Sequence, residues 1–150
     1  MKGMRLIALC AALLASGTAS AADSHTVTVN ASVTASCAFN SASSTISLTL
    51  DPGQTTTVTQ TAAVLYRCTK GTSPTFALSS GSTASATGGN LVNGTESIPY
   101  TYSHTGGGGG TGRGIGHDRT LNVTVSVNQS QAANVTPQVY TDTIAITITP

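Results

Sequence analysis

Residues 120–128, TLNVTVSVN, place Leu121, Val123, Val125 and Val127 at every second position, with Asn, Thr and Ser between them. A helix repeats about every 3.6 residues and cannot gather that set on one side, whereas a strand sends alternate side chains to opposite faces. The same period of two recurs in HTVTVNASV (25–33), TISLTL (45–50), AVLYRC (63–68), TFALSS (75–80), IPYTYS (98–103) and the closing VYTDTIAITITP (139–150). Between these runs lie LDPGQ, TKGTSP, SATGGN and NVTPQ, which are turn chemistry. Short strands spaced by turns predict an all-β antiparallel sandwich in one domain, with 120–128 in the middle of a sheet.

The polar faces of these strands are built from hydroxyls. The chain holds 27 Thr and 18 Ser among 150 residues, and only 7% of it is charged. Thr is β-branched and suits the wet face of a strand, so low charge here accompanies folding and not disorder.

The first 21 residues follow different rules. Lys2 and Arg5 precede an apolar run from Leu6 to Ala15, and small residues at Ala19 and Ala21 precede a cleavage point, which predicts a secretory signal peptide over 1–21. The run is about half of the roughly 20 residues that a membrane-spanning helix needs. Leu9 before Cys10 is too bulky for a lipoprotein signal. Cleavage leaves residues 22–150 and lowers Lys+Arg from 6 to 4 against 5 acids, a net charge of −1. No basic field remains to draw nucleic acid or membrane. Cys37 and Cys68 are then an even pair in an exported chain, most simply a disulfide. A metal site would need more ligands than two distant thiols and three scattered His supply.

Catalytic chemistry is not indicated, and no cofactor is expected. HTGGGGGTGRGIGHDR carries eight Gly within 106–116, of which Gly107, Gly109 and Gly112 satisfy a GxGxxG spacing. No helix follows to present amides to a phosphate, so a loop between strands is expected. His117 and Asp118 are neighbours that a strand would turn to opposite faces, and no Ser sits in a nucleophile elbow. The Asn-x-Ser/Thr triplets at Asn30, Asn93, Asn122, Asn128 and Asn134 are chance products of this composition.

The closing strand is the informative one. Tyr140, Asp142, Ile144, Ile146 and Ile148 share a face, and an uncovered edge there leaves main-chain groups and an apolar slot open to another polypeptide. At the other end, Val27, Val29, Ala31 and Val33 alternate in a segment ahead of Cys37. That segment either folds back onto the closing strand or serves as a donor strand (about 23–34) to the next subunit, whose acceptor groove would be lined by Tyr140, Ile144, Ile146 and Ile148.

The order of Cys37, LYRCTKGTSPTFALSSG around Cys68, IPYTYS, LNVTVSVNQSQ and the aromatic-x-Asp ending VYTDTIAITITP resembles the spore coat protein U domain of Csu-type fimbrial subunits in archaic chaperone–usher systems. The resemblance runs over residues 25–150. It implies an incomplete immunoglobulin-like pilin lacking its last strand, a disulfide between the two matching cysteines, and a periplasmic chaperone that lends a strand. It also implies an outer-membrane usher that exchanges this strand for the N-terminal segment of another pilin subunit, with adhesion and biofilm formation as the outcome. The chain departs from the pattern at LTLDPG, where a Phe-Gly is usual, at Gln138 in place of Gly, and at Pro150 in place of a final aromatic. Two alternatives accompany this expectation: a spore or cell coat protein, and a tip adhesin using the Gly-rich loop with Tyr100 and Tyr102.

Overall fold

The computed structural model describes residues 22–106 and 111–150. Its strands are β1 (Cys37–Phe39), β2 (Thr57–Cys68), β3 (Thr75–Ser80), β4 (Gly88–Asn93), β5 (Glu96–Gly106), β6 (Arg119–Asn128) and β7 (Ile144–Thr149), with one 3-10 turn at Gln129–Ala132. Residues 33–150 form one compact unit, and all seven strands belong to it. In the leading unit, residues 22–32 are exposed and carry no strand or helix.

Five strands form an antiparallel sheet in the order β1-β2-β6-β5-β4, and β3 pairs antiparallel with β7 in a second sheet. β6 lies in the middle of the larger sheet, as its alternation predicts. Its inner positions Leu121, Val123, Val125 and Val127 are buried, and Val64 of β2 lies directly across from Leu121. On the outer face Thr59 and Ser126 pair through their hydroxyls at 3.1 Å, and Thr61 and Thr124 at 2.9 Å. Cross-strand hydroxyl pairs of this kind stabilise a wet sheet face without charges. Pro99 has no N–H to give a ladder, and it sits where β5 is paired with β4 alone, since the β5–β6 ladder begins at Thr101.

The smaller sheet closes over the inner, apolar face of the larger one. Leu78 is buried, Phe76 meets the ring of Tyr66 edge-on at 4.9 Å between centroids, and Ile144, Ile146 and Ile148 are half-buried against the same core. The result is an all-β, immunoglobulin-like sandwich with sheets of unequal size. Cys37 and Cys68 are register partners on β1 and β2 and are joined by a disulfide.

Two expected strands and two observed ones differ. Residues 25–33 form no strand. Residues 45–50 keep the alternation, with Ile46, Leu48 and Leu50 half-buried, but have no ladder partner. β1 is too short to show a period. β4 lies in a stretch whose glycines read as a turn, and it joins β5 through the two-residue loop Gly94-Thr95 between the register partners Asn93 and Glu96: Gly94 has φ 59°, as a type II′ hairpin requires at its first central residue.

Candidate functional site

The second layer of the sandwich has a gap in it. β7 is hydrogen-bonded along one edge, to β3, and among the described residues no ladder occupies its other edge. Across the gap runs the stretch 41–50, which forms no strand, and among the described residues none of its N–H or C=O groups makes a backbone–backbone hydrogen bond. Ile46, Leu48 and Leu50 of this stretch are half-buried, and covered main-chain groups seldom go unpaired. Between the two edges lies a cavity of about 550 Å³. Ile46 and Leu48 form one wall and Ile144 and Ile146 the other, while Val64, Val123 and Val125 of the larger sheet form its floor. These walls and this floor are apolar, with main-chain donors and acceptors on both rims.

One end of the cavity is polar and tightly organised. Asp142 lies just before β7, and its Oδ2 accepts from Ser80 Oγ at 2.6 Å, Ser82 Oγ at 2.7 Å and Tyr100 OH at 2.8 Å, while Oδ1 accepts from the Thr143 N–H at 2.8 Å. Partial burial alone would raise the Asp142 pKa, but the bonds from Ser80, Ser82, Tyr100 and Thr143 outweigh it and hold the carboxyl below its usual range. Burial first, and then the bond to Asp142, push the Tyr100 hydroxyl up to about 12. β4 approaches this cluster closely because residue 89 is glycine, since a Cβ there would stand 2.8 Å from Asp142 Oδ2. This carboxylate ties β7 to β3 and β5 and so fixes where the open edge begins.

A second carboxylate anchors the segment before it. Tyr140 OH donates to Glu96 Oε2 at 2.6 Å, and Thr136 donates to the same carboxylate through N–H and hydroxyl. The Thr136 hydroxyl, then Tyr140, then the Thr136 amide lower the Glu96 pKa, and Tyr140 is raised by desolvation and by its bond to Glu96. Thr141 and Val92 exchange backbone hydrogen bonds of 2.9 and 3.1 Å, an isolated bridge to β4.

These contacts separate the residues grouped together in sequence. Ile144 and Ile146 line the cavity, and Ile148 is half-buried on the same face of β7. Tyr140 lies elsewhere: it is absent from the lining because its hydroxyl is committed to Glu96 and its backbone precedes β7. Val27, Val29 and Val33 are 74%, 85% and 85% exposed, and Ala31 is exposed as well. Tyr100 and Tyr102 are buried, with Tyr102 OH donating to the Ser85 carbonyl, so neither ring offers the contact surface expected of a tip adhesin. The signal peptide at 1–21 and glycines 107–110 lie outside the described residues. Neither the role of 41–50 as a cavity wall nor the cluster around Asp142 was among the expectations from sequence. The Ile46, Leu48, Leu50 alternation pointed to the first, and no local pattern marked the second.

Among the described residues no group of three or more His, Cys, Asp or Glu is placed to hold a metal, and no helix is long and apolar enough to cross a membrane. Asp118 faces Arg67 at 3.8 Å in an exposed pair. Comparison with curated proteins and with solved structures finds no match. The family model described as Spore Coat Protein U domain matches residues 23–147, a span that takes in the disulfide, both rims of the cavity and the first four residues of β7. The chain therefore belongs to the Spore Coat Protein U domain family, a family of fimbrial and coat-type structural subunits of the cell surface.

Proposed function

We propose that this protein is a fimbrial subunit that polymerises by donor-strand complementation, its groove receiving the N-terminal segment of the next subunit. The observation that carries the proposal is the cavity between the open edge of β7 and the unpaired stretch 41–50. A strand laid in this gap finds main-chain partners on its rims and an apolar bed beneath. Residues 23–34 have the required form: Val27, Val29, Ala31 and Val33 repeat at the spacing of Ile144, Ile146 and Ile148, and the three valines are exposed. Burying three Val at about 1.5–3 kcal/mol each contributes about 5–9 kcal/mol before ordering costs. Donor and acceptor are different surfaces, so the contact does not close and builds a fibre.

In this scheme the chain is exported behind the signal at 1–21. A periplasmic chaperone fills the groove, and an outer-membrane usher exchanges the chaperone strand for the next pilin, placing the fibre at the cell surface in adhesion and biofilm formation. The test is Ile146→Asp, which sets an unpaired charge in the cavity wall. Polymer yield should fall at least about tenfold, because burying an unpaired carboxylate costs several kcal/mol. Deleting residues 22–33 should leave a subunit that accepts a donor but cannot provide one. Unchanged fibres from Ile146→Asp, or fibres from the truncated chain alone, overturn the proposal.

A further inference from the structure

We infer that Lys70, Arg113 and Arg119 form a binding site for oxyanion groups carried on an extracellular polysaccharide, such as sulfate esters. The three line one concavity of about 420 Å³ together with Gly71, Thr111 and Gly112. Only four Lys or Arg lie among the described residues, and the fourth, Arg67, is engaged with Asp118 at 3.8 Å and Asn40 at 2.9 Å. None of the three lining cations forms a salt bridge, and residues 1–21 and 107–110 contain no Asp or Glu that could supply one. Within the lining three cations stand with no acid, a local charge of +3 on a chain whose formal net charge is only +1.

The backbone holds this arrangement in place. Lys70 occupies a turn closed by Thr72 N–H to Thr69 C=O at 3.1 Å, in which Gly71 has φ 89°. The loop that brings Arg113 is stitched to this turn: Gly71 N–H donates to Gly112 C=O at 2.9 Å, Gly112 N–H to Thr72 C=O at 2.7 Å, and Gly114 N–H to Cys68 C=O at 3.1 Å. Gly112 is buried against Cys68, where a Cβ would stand 2.8 Å from the Cys68 carbonyl oxygen, so a side chain at 112 would push Arg113 away from Lys70. Arg119 opens β6, whose register partner Tyr66 lies two residues before the disulfide cysteine Cys68. Asp142 lies near Ser80, at the far end of β3 from this turn, so its carboxylate does not neutralise the site. Guanidinium and ammonium groups that line one concavity without counter-charges favour an anion with several oxygens, which Arg forks can grip in pairs. A polymer is favoured over a lone ion because repeated charges sustain binding to an open, hydrated surface at moderate salt.

The full chain should be titrated with dextran sulfate, neutral dextran and inorganic sulfate at about 50 mM and about 300 mM NaCl, using calorimetry. Dextran sulfate should bind and weaken at least about tenfold at the higher salt, inorganic sulfate should bind far more weakly, and neutral dextran not at all. Lys70→Gln with Arg113→Gln, both at exposed positions, should weaken dextran sulfate at least about tenfold with an unchanged melting temperature. Gly112→Ala, by displacing Arg113, should weaken it as well. Equal binding by the double variant overturns the site, as does a wild-type chain that ignores dextran sulfate. Inorganic sulfate binding as tightly as the polymer overturns the polysaccharide assignment.

Discussion

Replacing Asp142 with Ala removes the acceptor that holds the start of β7. Two of its donors are buried: Ser80 Oγ at 2.6 Å and Tyr100 OH at 2.8 Å. A hydrogen bond to a charged group contributes about 1.5–3 kcal/mol, so losing both sets an upper range of about 3–6 kcal/mol. Ser80 keeps Ser82 as an alternative partner at 3.0 Å, and Tyr100 lines the cavity, where a water entering the space left by the carboxylate would offset part of the loss. The expected loss is therefore in the lower half, about 3–4 kcal/mol. Urea unfolding with the disulfide intact measures it as a shifted midpoint at constant slope. The loss should also depend on pH. Because the folded Asp142 pKa is depressed, its stabilisation is present above the unfolded value near 3.8 and disappears as pH falls through the folded pKa. Wild type and variant should thus differ fully at neutral pH and converge in acid. A variant within about 1 kcal/mol of wild type at neutral pH refutes the argument, as does a Tyr100→Phe, Asp142→Ala cycle with no coupling.

Three further outcomes follow from the same structure. The Tyr100 hydroxyl has a folded pKa raised to about 12 from 10.0, so its contribution is intact below pH 10 and lost as pH rises through 12; a phenolate absorbance titration should show one tyrosine ionising last. The Tyr66 hydroxyl is buried with no partner among the described residues, so Tyr66→Phe should change stability by less than about 1 kcal/mol, unlike Tyr100→Phe. Reducing the Cys37–Cys68 bridge, whose ends are 31 residues apart, should lower stability by about 3–4 kcal/mol, read from urea midpoints with and without reductant.

A period of two needs no partner to be visible, and for that reason most of the architecture was legible in the chain alone. TLNVTVSVN states both its strand character and its buried face, TFALSS becomes β3 without change, and even TISLTL turns Ile46 and Leu48 inward as its alternation predicts. Which strands pair was decided elsewhere, because main-chain groups are identical along the chain and only packing of the inner faces selects a register. So 45–50 acquired no ladder, GGNLVN acquired one from β5, and Tyr140, alternating in step with Ile144 and Ile146, was turned by Glu96 and Thr136 out of the cavity. The gap itself belongs to tertiary structure. Ile46 and Ile146 are 100 residues apart in sequence, and they become opposite walls of one groove only when both sheets fold over a shared core.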